Sequence, residues 1–264
     1  MLTIKLLLVP SLIAAITLIG RRWGPGIAGL LSGFPIVAGP ILLLIAIEQG
    51  PHFAALAANG SLITVPSNIA FALGYSWLAL RWPWWVCLPG GLVCFALTAA
   101  LFNWLALPLT ILMAVSLAGI FLAARAFPRN IDARPLAQPS RMELPVRMLA
   151  AALLVLAVTR FADQLGPHFS GILSAPPILA SVLAGFSHPV AGAGFAIRLL
   201  QGMQTGFFSL AAFCFGLALA LPALGTLWGF LLALAAALLV QTAVWWRNSA
   251  GLAQPRPKHP DPIP

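Results

Sequence analysis

Long apolar stretches separated by short clusters of Arg, Pro, Gly and Trp dominate the chain. A helix that crosses a bilayer needs about 20 mainly apolar residues, and this punctuation predicts about nine of them. They fall near 3–20, 26–48, 53–80, 84–104, 107–125, 147–165, 168–187, 192–220 and 223–246. The third and eighth are long enough to tilt or break. Arg21-Arg22 follows the first apolar run where a cleavable signal would carry small residues, so that run is expected to remain as a helix. Phe127 to Pro145 carries Arg129, Asp132, Arg134, Arg141 and Glu143 among prolines and predicts an exposed linker. The stretch from Gln254 to Pro264, with Arg256, Lys258 and Asp261 among prolines, cannot bury apolar area and is expected to be disordered.

Composition sets the solvent. Charged residues make up 7% of the chain and apolar ones 61%, with a mean hydropathy of +1.00. No water-soluble globule covers that much hydrocarbon with so few charges, which argues against a soluble enzyme or a nucleic-acid binder. The net charge of +9 then reads as topology. Counting connections alternately puts Arg21, Arg22, Arg81, Arg125, Arg129, Arg134, Arg141, Arg147, Arg198, Arg247, Arg256 and Lys258 on one side, against Lys5 and Arg160 on the other. By the positive-inside rule the N-terminus is expected outside and the C-terminus in the cytoplasm, as in a multi-pass protein of the bacterial inner membrane. Trp82, Trp84, Trp85, Trp104, Trp245 and Trp246 fall at helix ends, where interfacial anchors belong. Cys87, Cys94 and Cys214 lie in apolar stretches and read as packing residues rather than as a disulfide framework or a metal site.

The chain also repeats itself. Shifting it by 142 residues lays Gly24-Pro25-Gly26-Ile27-Ala28-Gly29-Leu30-Leu31-Ser32-Gly33-Phe34-Pro35-Ile36-Val37-Ala38 over Gly166-Pro167-His168-Phe169-Ser170-Gly171-Ile172-Leu173-Ser174-Ala175-Pro176-Pro177-Ile178-Leu179-Ala180, with eight of fifteen positions identical. From 15 to 74 the same shift gives 18 identities in 60, against roughly 6 or 7 expected by chance. Most are Gly, Pro, Ser, Thr and Phe, so shared oiliness does not produce them. Four spans per copy, with one helix between, force the second copy to enter the membrane upside down. The expected fold is therefore all-α: a polytopic membrane protein of about nine transmembrane helices, built as two inverted four-helix repeats joined by a central helix. Its parts are repeat one at 1–105, a linking span at 106–126, a cytoplasmic loop at 127–145, repeat two at 146–247 and a tail at 248–264.

The run Arg22-Trp23-Gly24-Pro25, with Ala28-Gly29-Leu30, Phe34-Pro35-Ile36 and Glu48-Gln49-Gly50-Pro51, resembles the GlpM-like family of small bacterial inner-membrane proteins of about four helices. The likeness covers most of each half, as though two such units were fused. The second copy departs from the motif, lacking the Glu and carrying Ala175-Pro176-Pro177. The resemblance implies a membrane protein and carries over no catalytic residue.

Candidate chemistry follows from the repeat. In transporters with inverted repeats, matched Gly/Pro interruptions mark a substrate site near the midplane. Ser32 and Pro35, with Ser174 and Pro177, occupy such matched interruptions, and each proline removes a donor and disturbs carbonyls one turn earlier. Gly29, Gly171 and the two serines also suit close helix packing around two kinks. Asn59 and Gln201 stand at equivalent positions early in the third and eighth spans and fit either a cavity lining or interhelical hydrogen bonds. Thr17 and Thr159 are expected to bond back to their own helices. Glu48, beside His52, and Asp163, three residues after Arg160, are the two acidic groups placed for proton coupling, and both also fit solvated helix ends. Arg198 is expected to snorkel to the interface. The four histidines show no metal-ligand spacing, and no nucleophile triad or phosphate loop is legible, so neither an enzyme nor a cofactor or metal is expected. The expected function is transport or export of a small solute by alternating access between the repeats. The alternative is a non-transporting accessory or scaffold protein of envelope assembly. The expected partners are the lipid bilayer and a small-molecule solute, with no nucleic acid, and the small-residue surfaces also suit a homo-oligomer.

Overall fold

A computed structural model describes residues 2–129, 144–150, 152–153, 156 and 177–252. The described residues are almost all helical and include no strand. In chain order the helices are α1 (Leu2–Trp23), α2 (Pro25–Ser32), α3 (Ala38–Gln49), α4 (Pro51–Leu78), α5 (Trp84–Leu105), α6 (Leu109–Ala126), α7 (Ile178–Ala191) and α8 (Ala193–Leu252), with further helical residues at 144–150. By length and composition four are able to cross a membrane: α4, α5, α6 and the Ala193–Arg247 stretch of α8. Much of their surface is exposed hydrocarbon. Val93, Leu97, Leu101 and Trp104 form one open face of α5, and Leu227, Leu231 and Leu239 are likewise exposed on α8. With so few charges to cover it, this surface belongs in lipid, and the chain is a membrane-embedded helical protein.

Glycine makes the joints. Gly24, Gly50 and Gly192 sit at φ 90°, 89° and 85° with ψ between 163° and 169°, a region open essentially only to glycine. Each lets one helix follow another without an intervening loop, and Pro25 and Pro51 then start α2 and α4 where a missing N–H costs nothing. Gly225, at φ 73° and ψ −178°, divides α8 into a 193–224 half and a 226–252 half. Its counterpart 142 residues earlier is Pro83, which ends the α4–α5 connection in extended conformation.

Among the described residues, the second span is broken, and the third and eighth are not. The apolar run near 26–48 is two short helices, α2 and α3, separated by turn residues 33–37. α4 continues unbroken through Pro66. Beside that proline, Ser67 Oγ donates to the Ile63 carbonyl at 2.9 Å and Thr64 Oγ1 to the Ser61 carbonyl at 2.7 Å. The last helix runs to Leu252, past the boundary at 247 expected for the second repeat.

Among the described helices, α4 and α8 pack against each other most extensively. Equivalent positions are buried in both: Ala54 and Ala196, Ser67 and Ser209, Phe71 and Phe213. The hairpins they open also match, since Gly74 approaches Gly91 across α4 and α5, and Gly216 approaches Ala233 across the two halves of α8.

Candidate functional site

The 33–37 break begins at Ser32. Its hydroxyl is buried and donates to the Ala28 carbonyl at 2.7 Å, so it serves its own helix. Gly33 caps α2 through the Gly29 carbonyl at 3.0 Å, and Phe34 N–H reaches the Leu31 carbonyl at 3.2 Å. Pro35 is buried, and its carbonyl opens α3 by accepting from Gly39 N–H at 2.8 Å. In the second copy Pro177 is also buried, and its carbonyl opens α7 by accepting from Ser181 N–H at 2.7 Å. The two prolines thus perform the same local task 142 residues apart. Ser174 and Asp163 lie outside the described residues, as does Thr159.

α2 meets α8 backbone to backbone. A methyl group built on Gly29 or Gly33 of α2 and its cap would strike the backbone of Leu199, Met203 and Gly206, and one built on Gly202 or Gly206 would strike Gly26, Leu30 and Gly33. Gly29 and Gly33, like Gly202 and Gly206, are four apart, the spacing that puts small residues on one helix face. This contact joins the first half of the chain to the second.

The matched amides diverge. Gln201 Nε2 donates to the Pro128 carbonyl at 3.3 Å, beyond the end of α6, whereas the buried Oδ1 of Asn59 has no hydrogen-bond partner among the described residues. Gln204 also ties α8 to α6, through the Ile120 carbonyl. Glu48 is exposed in the last turn of α3, and the neighbouring His52 is exposed at the start of α4.

Two polar contacts that spacing did not single out converge on the last turn of α7. Arg147, counted above among the loop cations, is only 1% exposed. Its Nη1 donates to Thr17 Oγ1 of α1 at 3.4 Å and its Nη2 to Ser187 Oγ of α7 at 3.5 Å, with the Phe186 ring centroid 5.8 Å away. These three residues edge a small cavity whose other walls include Ile16, Ala28, Leu183 and Leu199. One residue further along α7, His188 Nδ1 lies 3.1 Å from the hydroxyl of Tyr75 in α4, which also donates to the Ala184 carbonyl at 3.3 Å. Tyr75 is fully buried and is the chain's single tyrosine. A hint of Arg147 does exist in the repeat: Lys5 occupies the equivalent position, so each copy opens with a cation. The approach of Thr17 and Ser187, from two other helices, leaves no trace in spacing.

No family model, curated protein or solved structure matches the chain.

Proposed function

We propose that the protein is a transporter or exporter of a small solute in the bacterial inner membrane, built as two inverted repeats that move against each other. The observation that carries this reading is the pair of matched joints. Buried Pro35 and Pro177 open α3 and α7 through the same hydrogen bond, and Gly50 and Gly192 end those helices in the same conformation. Interrupted helices at corresponding positions of two repeats are the usual frame of a midplane site. On this reading the backbone around Ser32, Pro35, Ser174 and Pro177 lines the site, and the GlpM-like resemblance describes one repeat unit. The orientation with the N-terminus outside rests on the charge asymmetry.

A second reading, a non-transporting accessory or scaffold protein, draws on the way the hydroxyls and amides are spent. Ser32 and Ser67 bond to their own helices, and Gln201 and Gln204 bind α8 to α6 and its C-terminal end. Such contacts hold helices together and line no passage. Purified protein in sealed vesicles, screened with a broad set of labelled metabolites, separates the two. Transport predicts saturable flux of at least one solute, abolished in Pro35→Leu vesicles; flux equal to protein-free vesicles for every compound favours the scaffold.

A further inference from the structure

The contact between Tyr75 and His188 is where α4 of the first half meets α7 of the second through titratable side chains. Tyr75 is fully buried in the last turn of α4, and His188 is half-buried near the end of α7, next to exposed Pro189 and Val190. Pro189 lacks an N–H and crowds the carbonyls one turn earlier, and it is there, at Ala184, that the Tyr75 hydroxyl donates at 3.3 Å. Nδ1 of His188 lies 3.1 Å from the same hydroxyl, with the two rings edge to face at a centroid distance of 5.9 Å. A phenol has one proton to give, and two acceptors stand within its reach. The neutral imidazole can accept at Nδ1, whereas the protonated ring is a donor at both nitrogens. One added proton therefore reverses the hydrogen bond between the two halves of the chain and leaves the hydroxyl to Ala184.

Among the described residues nothing offsets the charge such a proton brings. α7 is flanked by α1, α4, α5, α8 and the 144–150 helix. These bring Tyr75 from α4, Cys87 from α5 on the Tyr75 side, Arg21 and Arg22 from the end of α1, Arg147 through its bond to Ser187, and Arg198 from the second turn of α8. The one acid among the described residues, Glu48, is exposed in the last turn of α3. In the other copy the matched positions are Ala46 and Leu217, both buried and neither titratable, so a response to pH is confined to one of the two places. Trp77 Nε1 donates to the Ala126 carbonyl at 3.0 Å and Gln201 to that of Pro128, which sets this place at the end where α4 and α6 finish and α8 begins. The charge count assigns that end to the cytoplasm. Imidazole is the side chain that titrates in the physiological range. We propose that His188 is a proton-binding site, accepting from Tyr75 when neutral and donating to it when protonated, and that the proton held there is the coupling ion of transport. A hydronium at the exposed end of α7 gives its proton to the Nδ1 lone pair and leaves as water, and no other covalent bond changes. The coupling role rests on the transport reading; proton binding at the Tyr75 contact does not.

The single tyrosine makes the test direct. The full chain, produced with isotope-labelled tyrosine and held in an uncharged detergent, gives one Cζ resonance that reports the hydrogen bonding of Tyr75. That resonance is expected to move in a single titration step between about pH 5 and 8. His188→Gln keeps a hydrogen-bonding side chain that does not titrate, leaves His52, His168 and His259 in place, and should abolish the step. His188→Asn serves where the Gln variant fails to fold. A wild-type resonance that stays put over that range, or one that still moves in either variant, would overturn the proton site and leave the contact as a tie between helices. For the coupling, a pH gradient across wild-type vesicles is expected to change the rate of any solute that crosses them in the metabolite screen, and to make no difference in His188→Gln vesicles. A titration step with flux indifferent to the gradient overturns the coupling role and keeps the proton site. A titration step without flux of any solute sinks the transport reading and leaves the proton site standing.

Discussion

Gly192 holds a φ of 85° between α7 and α8 and meets nothing described within 4 Å where a Cβ would stand. Alanine there fits the space but not the backbone, so Gly192→Ala should cost about 1–3 kcal/mol, read as a lower unfolding temperature in detergent. Its counterpart Gly50→Ala should cost a similar amount. Tyr75→Phe removes a buried hydroxyl that contacts Ala184 and His188, and should cost about 1 kcal/mol in the same measurement. At this scale the sequence was partly readable. Pro35 and Pro177 stood out because they coincide under one shift, as Gly50 and Gly192 also do, and glycine and proline constrain the backbone wherever they occur. Arg147 was hidden for the opposite reason. Its charge is the same in a loop or in a cavity, and an arginine next to a polar linker joins the topology count by default.

Between elements, the α2–α8 contact is the clearest place where size decides. Gly202→Ala puts a methyl group into the backbone of Gly26, and Gly206→Ala puts one into that of Leu30 and Gly33. Each should destabilise by about 1–3 kcal/mol or more, because backbone cannot rotate away as a side chain can. Gly60, the repeat counterpart of Gly202, is exposed and meets no described atom within 4 Å, so Gly60→Ala should leave the unfolding temperature unchanged or raise it slightly. Loss of stability in Gly60→Ala equal to that in Gly202→Ala would contradict the asymmetric packing seen here. The sequence marks Gly29 as a residue that permits close packing but does not say which helix it meets. Helix contacts are set by chain folding over long separations, whereas a break such as 33–37 is set by the residues within it, which is why Ser32 to Pro35 was legible as an interruption. Proline alone was not a sufficient sign: Pro66 sits inside unbroken α4.

For the molecule as a whole, the pairing of α4 with α8 sets the first half of the chain against the second, and the orientation of the two halves becomes an experimental question about the chain's ends. With Cys87, Cys94 and Cys214 replaced, a single cysteine at Leu2 should react with a membrane-impermeant thiol reagent on intact cells, and one at Leu252 only after permeabilisation. Labelling of both from the same side would remove the inverted arrangement. The joint at Pro83 and Gly225 carries a different kind of information. At the matched position between hairpin helices the two copies have opposite backbone signs, φ −70° at the proline and 73° at the glycine, whereas Gly50 and Gly192 agree to within a few degrees. Each copy is thus a standing variant of the other, tolerated within one folded chain. Exchange between the copies at this joint is therefore one-sided: glycine at 83 can take up the backbone of Pro83, whereas proline at 225, its φ fixed at about −65°, cannot adopt that of Gly225.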